Sequence, residues 1–251
     1  MSAQLSQSLL AVFLIFCRVG GCLMIAPGFS SARVPTRVRL FVAVTVSLAL
    51  MPLLLGPVGA RVGDAQPADM LGLIGAETFT GLVIGFLARL FFMALETLAV
   101  AVAMAIGVGG MLGTPVDDGE GLPSLATLIT LTAVALVFFA DLHWELLRGL
   151  VASYQRLPPG ETFGTRLALS EVVDKLADAF LIALRISSPF IIYSLVINFA
   201  IGLANKLTPQ LPIYFILMPL VIGLGMLIVY LLFREYMTLF MLGFAEWLRN
   251  G

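Results

Sequence analysis

The chain has 251 residues, of which 60% are hydrophobic and 12% charged, with a formal net charge of -1 and a mean hydropathy of +1.06; soluble domains carry about 25% charged residues. Such a composition excludes an ordinary soluble domain, and a near-neutral charge removes any global attraction for nucleic acid or anionic surfaces. A bilayer core of about 30 Å asks for about 20 apolar residues per helix, and Leu207–Phe233 runs 27 positions without one charged side chain, so the chain reads as a membrane protein.

Seven apolar segments follow in chain order: 9–29, 40–60, 70–88, 97–116, 122–140, 179–204 and 207–233. Taken as simple spans with the N-terminus outside, they put Arg33, Arg37, Arg39, Arg89, Arg148, Arg156, Arg166, Lys175, Arg234 and Arg249 inside, against Arg61 and Lys206 outside. The excess of basic residues in cytoplasmic loops then favours an N-out, C-in arrangement. The expected architecture is all-α: a polytopic membrane protein of kinked helices and helical hairpins in one membrane domain, 1–251. Within it, apolar helices fill 1–140 with a Gly-rich loop at 107–124, a polar connector occupies 141–178, and a helical hairpin occupies 179–251.

The first segment carries Arg18 near its middle, where a charge costs about 2.5–3.5 kcal/mol on the insertion scale. Two readings stand: it snorkels or pairs locally, or it meets an acidic group on another helix or subunit. Cys17 and Cys22 lie about 140° apart on a helix, poorly placed to bridge, and read as small apolar fillers. Val19–Cys22 has the look of a lipoprotein cleavage box, but no basic residue precedes Arg18, so the N-terminus is expected to be retained.

In the third segment Glu77, Gly81, Gly85 and Arg89 recur every four residues. They trace a helical stripe in which two glycines between charges make a close-approach groove. Glu96 follows Arg89 seven positions on, either as its partner across a bend or with it as a marker of two adjacent helix ends. The fourth segment reads as a packing interface through Ala99, Ala101, Ala103, Ala105, Gly107, Gly109, Gly110 and Gly113, because small side chains let another backbone approach. Arg185 is a further charge near the start of its segment. Pro27, Pro52, Pro189, Pro212 and Pro219 within or beside apolar runs predict kinks.

His143 is the single histidine, beside Asp141, Trp144 and Glu145; metal sites commonly need three or four ligands, so it reads as an interfacial side chain and no metal or cofactor is expected. No G-x-S-x-G, H-E-x-x-H or Walker lysine loop occurs, and no enzyme activity is expected.

The stretch Asn205-Lys206-Leu207-Thr208-Pro209-Gln210-Leu211-Pro212-Ile213-Tyr214-Phe215, followed by Pro219 and Gly223, resembles the FliR family of flagellar type III export-gate proteins, homologous to the injectisome SctT family. Lys206 stands where that family usually has arginine, which keeps the charge and loses the planar fork. Arg18 with Ala26-Pro27-Gly28-Phe29, then Pro35, Gly107–Glu120, and Ser153-Tyr154 with Pro158-Pro159-Gly160 fit the same pattern in order. The resemblance implies a FliP-like N-terminal part, a FliQ-like C-terminal hairpin at about 179–251, and assembly with FliP-like and FliQ-like subunits and a FlhB-like protein in the bacterial inner membrane at the flagellar basal body. Unfolded flagellar polypeptides would leave through that channel. It also implies a pore plug in the loop Gly107–Ser124, carried by Gly107, Gly109, Gly110, Gly113, Asp117, Asp118, Gly119 and Glu120, and an interface motif at Asn205, Lys206, Pro209, Gln210 and Pro219. Arg18, Glu77, Arg89, Glu96 and Arg185 are the intramembrane charges.

Three alternatives remain at this point. The related gate of a virulence injectisome shares the architecture. A self-contained secondary transporter would use an ion-coupled site near Glu77, Arg89 and Arg185, although no matching repeat is visible. A membrane enzyme lacks a nucleophile or acid/base pair.

Overall fold

The computed structural model describes residues 2–31, 34–63, 67–109, 122–161, 165–210 and 212–250. Among the described residues the elements are all helices: α1 (Ser2–Ile25), α2 (Thr36–Gly63), α3 (Pro67–Ala105), α4 (Ser124–Phe139), α5 (Leu142–Arg156), α6 (Thr165–Leu207) and α7 (Ile213–Asn250). Proline and glycine set many of their ends. Pro27 and a left-handed Gly28 (φ 84°) follow α1, Pro35 and Pro212 accept the first backbone bonds of α2 and α7, and Pro67 opens α3, where a missing N–H costs nothing.

Five helices are long and apolar enough to cross a membrane, and α4 with α5 forms a bent pair that makes a sixth if counted as one span. The seven simple spans drawn from hydropathy are therefore replaced by five or six. Segments 70–88 and 97–116 are not separate: the 39 residues of α3 run through both Arg89 and Glu96. No glycine or proline stands between Phe86 and Ile106, and a charge on a good helix-forming stretch interrupts hydropathy without interrupting the backbone. The last segment likewise begins at Ile213 rather than 207 and continues to Asn250. The stretch 141–178 holds α5 and the beginning of α6.

At 1.5 Å per residue, α3, α6 and α7 are about 58, 64 and 57 Å long, well beyond the 30 Å or so of a hydrocarbon core. Prolines lie inside α2 (Pro52, Pro57), α6 (Pro189) and α7 (Pro219). Each frees a carbonyl one turn back, which in an apolar setting needs another donor. At Pro189 that donor is local: Ser188 Oγ donates to the Arg185 carbonyl at 2.8 Å.

The chain divides into two compact units. The first comprises Met1–Leu90, Asp141–Leu176 and Leu248–Gly251. Here α1 packs on α2, and the core is built from Leu14, Ile15 and Val19 of α1, Leu54 and Val58 of α2, Ala76 and Ala88 of α3, and Leu146 and Leu150 of α5. Close approach of α1 and α3 needs glycine. A Cβ on Gly81 would collide with the backbone carbonyl of Arg18, one on Gly85 with that of Cys22, and one on Gly21 would sit 2.8 Å from the Thr78 oxygen. The glycine stripe expected along α3 is thus a groove for α1. Cys17 and Cys22 are buried and unbridged.

The second unit comprises Phe91–Ala140 and Ala177–Trp247. An aromatic cluster joins α3 to α7: Phe91 and Phe92 lie 5.3 Å from both Phe240 and Phe244, and Trp247 stacks on Phe244 at 6.0 Å. Aromatic pairs at such separations add about 0.5–1.5 kcal/mol beyond burial. The small-residue end of α3 is buried in this unit through Ala99, Val102, Ala103 and Ile106. Tyr193 of α6 donates its hydroxyl to the Val221 carbonyl of α7 at 2.6 Å, two residues beyond Pro219.

Candidate functional site

Three places in the chain concentrate polar chemistry. The first is a fully buried ion pair. Arg18 Nε donates to Glu77 Oε2 at 2.8 Å and Nη2 to Glu77 Oε1 at 2.9 Å, a two-pronged pair with neither side chain exposed. The guanidinium also donates to Ser153 Oγ and to the Leu157 carbonyl, both at 3.1 Å, and its carbon lies 3.9 Å from the centre of the Tyr154 ring. Glu77 Oε1 accepts a further bond from the Gly160 N–H at 3.2 Å. One charge pair therefore ties α1, α3, the end of α5 and the turn after it.

Burying a charge is tolerable only when it is paired and its remaining hydrogen-bonding capacity used. Arg18 meets its acidic group on another helix of its own chain. The sequence offered a signal for its other partners. Leu142, Leu146, Leu150, Ser153 and Tyr154 form the buried face of α5, and a serine and a tyrosine on that face require a polar partner inside. The signal marks the face and not the partner, because nothing in the sequence relates position 153 to position 18. Gly160 adopts φ +87°, a conformation available to glycine at no steric cost, and so aims its N–H at Glu77.

The second place is the end of α3. Gly107, with φ 82°, caps the helix: its N–H bonds the Met104 carbonyl at 3.1 Å, and the Val108 N–H bonds the Ala103 carbonyl at 3.0 Å. This paired pattern around a left-handed glycine is the Schellman ending. Val108 is buried and Ile106 lies against Gly225 of α7, where a Cβ would come within 2.5 Å of the isoleucine. Gly107 and Gly109 of the expected plug loop thus belong to an anchored helix end, whereas Gly110, Gly113, Asp117, Asp118, Gly119 and Glu120 lie outside the described residues.

The third is the turn between α6 and α7. Asn205, Lys206, Pro209, Gln210 and Pro219 are all exposed, and Thr208 Oγ1 donates to the Ala204 carbonyl at 3.1 Å. Tyr214 and Phe215 beside them are exposed as well, so this polar tip is flanked by uncovered aromatic surface.

The remaining charges have separate surroundings. Arg89 is exposed and donates to Ser30 Oγ at 3.1 Å; Glu96 is half-buried and Arg185 exposed. Glu77 is committed to Arg18 and the Gly160 N–H, which leaves it poorly suited as an ion-coupling carboxylate. No metal-holding group of His, Cys, Asp and Glu occurs among the described residues.

Long apolar helices, a desolvated ion pair and glycine-lined helix contacts define the class: an all-helical, multi-pass membrane protein. Residues 9–247 match the family described as bacterial export proteins, family 1, and the chain belongs to that family. It is similar to the flagellar biosynthetic protein FliR of Caulobacter vibrioides, with 31% identity over 216 residues, 85% of this chain and 84% of the relative. FliR of Escherichia coli is 30% identical over 213 residues, covering 83% and 78%. The secretion system apparatus protein SsaT of Salmonella typhimurium is 26% identical over 225 residues, covering 88% and 85%. The protein is accordingly a type III secretion export-gate subunit.

Proposed function

We propose that the chain is the FliR-type subunit of a flagellar export gate. In this reading it joins FliP-like and FliQ-like subunits and contacts a FlhB-like protein in the bacterial inner membrane, at the base of the flagellum. The gate passes unfolded flagellar polypeptides, and the chain serves as channel wall without catalysis. The observation that carries the flagellar reading is the 31% and 30% identity to two FliR proteins across most of each chain.

Surface character agrees with a partner-dependent protein. α6 and α7 carry exposed apolar side chains from Leu181 through Phe199, Phe215 and Tyr230 to Leu242. That surface extends over helices about twice as long as a hydrocarbon core is thick, which supports cover by protein partners in addition to lipid. In the same reading α6 and α7 form the FliQ-like hairpin, the first part is FliP-like, and the exposed Asn205–Gln210 tip is a contact with a neighbouring subunit. The segment Gly107–Ser124, rooted on the anchored end of α3, is the plug that closes the channel at rest.

Co-expression with FliP-like and FliQ-like proteins, purification through a tag on this chain, and native mass spectrometry test the reading. Several copies of both partners on one copy of this chain are expected. A stable partner-free monomer or homo-oligomer overturns it. Restoration of motility in a strain lacking FliR, without restoration of injectisome secretion in a strain lacking SsaT, separates the flagellar role from the virulence one.

A further inference from the structure

The end of the first unit where α1 hands over to α2 gathers positive charge that no carboxylate among the described residues pairs. No acidic residue occurs before Asp64 in the sequence. Arg39 curls back, donating Nε to the Val34 carbonyl at 3.0 Å and Nη2 to the Ser31 carbonyl at 2.9 Å. Arg89 reaches the same turn from α3 through Ser30 Oγ at 3.1 Å, and Arg37 in the first turn of α2 is exposed. None of the three forms an ion pair among the described residues, unlike Arg18 with Glu77 and Arg148 with Glu145. On α3 itself Glu77 is consumed by Arg18, Asp69 stands twenty residues before Arg89, about 30 Å away along the helix, and Glu96 stands seven residues after it, about 10 Å along the helix.

These cations also sit where the helix N-terminus of α2 adds its own partial positive charge, without an acidic residue in that first turn to offset it. Directly below them α2 presents Val38, Leu40, Phe41, Val44 and Leu48 to the outside, Phe41 being 73% exposed. A soluble acidic partner would match the charge but not this apolar shaft. A molecule with an anionic head and a hydrocarbon tail matches both. The geometry points to a site for an anionic phospholipid at this end of the unit, its headgroup phosphate held by Arg37 and Arg89 and its acyl chains laid along α2, with Arg39 fixing the turn between them. The site requires only that α2 meets the bilayer, and so stands apart from the flagellar reading.

The test uses the full chain in a neutral detergent, with phosphatidylglycerol, phosphatidylcholine and inorganic phosphate as probes and native mass spectrometry to count retained lipid. The wild type is expected to retain phosphatidylglycerol over phosphatidylcholine, and inorganic phosphate at equal concentration not to displace it. Each arginine near a membrane surface contributes about fivefold to such a preference, so Arg37→Gln/Arg89→Gln should lower it by an order of magnitude or more, while Arg148→Gln should leave it unchanged. Equal retention of both lipids, a double variant that keeps the preference, or displacement by phosphate alone overturns the proposal. Should the double variant be less stable in phosphatidylcholine, Arg37→Gln alone, which alters an exposed side chain in no ion pair among the described residues, decides the matter by its own fivefold loss.

Discussion

Arg18 and Glu77 face each other through two hydrogen bonds of 2.8 and 2.9 Å with both side chains fully buried. Fifty-nine residues separate them in the chain. Because the same guanidinium reaches Ser153 and the Leu157 carbonyl, losing either partner leaves a buried charge and frees the turn after α5.

Removing one member should therefore cost about 3–5 kcal/mol, and removing both by apolar residues of similar size should cost much less. Arg18→Met and Glu77→Met are each expected to lower the thermal midpoint of the purified protein sharply, and the double variant to recover most of the loss. Additive single effects in that cycle would show that the pair is not coupled. Arg18→Lys keeps the charge without the two-pronged fork and should fall between wild type and Arg18→Met.

The contact of α3 on α1 should be intolerant of added volume. A Cβ on Gly81 meets the Arg18 carbonyl, which is backbone and cannot swing away. Overpacking of this kind costs about 1–3 kcal/mol, so Gly81→Ala should lower the midpoint, whereas Gly72→Ala, with open space around it, should be neutral or slightly stabilising through helix propensity. A disulfide-trapping experiment between cysteines placed on α1 and α3 would read the separation directly.

Gly107 ends α3 in a left-handed conformation, where any L side chain is strained by about 1–2 kcal/mol. Gly107→Ala is expected to destabilise the helix end and to raise hydrogen exchange at Val108 and Ile106 more than elsewhere. Uniform exchange across the chain would argue that the cap is not a local anchor.

Shortening the segment between Gly110 and Glu120, outside the described residues, tests the plug reading. Cells carrying the shortened chain in an assembled gate should leak small ions and grow poorly at high salt, while Gly109 and its anchored neighbours stay intact. Normal ion tightness with the partners present would remove the plug from the account.

Much of this architecture is legible in the sequence. Composition required a membrane protein, the motif around Pro209–Gln210 carried the family, and the four-residue spacing of Gly81 and Gly85 announced a close helix contact that the structure supplies with α1. For Arg18 the sequence leaves two readings open, snorkelling or local pairing against an acid on another helix or subunit, because it gives no distance between position 18 and any acidic residue. Hydropathy misjudged the helices where it treated Arg89 and Glu96 as a break, since the period and apolarity of a window report burial and not backbone continuity.

The sequence by itself determined what must be buried and which backbone positions are special: the apolar runs, the glycines that need φ > 0 or bare contact, and the prolines at helix starts. Those are local consequences of side-chain chemistry. Only the tertiary structure decided which charge answers which. It gave Glu77 to Arg18, turned Gly107 from a loop residue into a helix cap facing Ile222 and Val221 of α7, and left Arg37 and Arg89 without an ion-paired carboxylate among the described residues. The reason is physical: the Coulomb and hydrogen-bond energy of a buried pair depends on separation and desolvation in space, and the folded chain sets both.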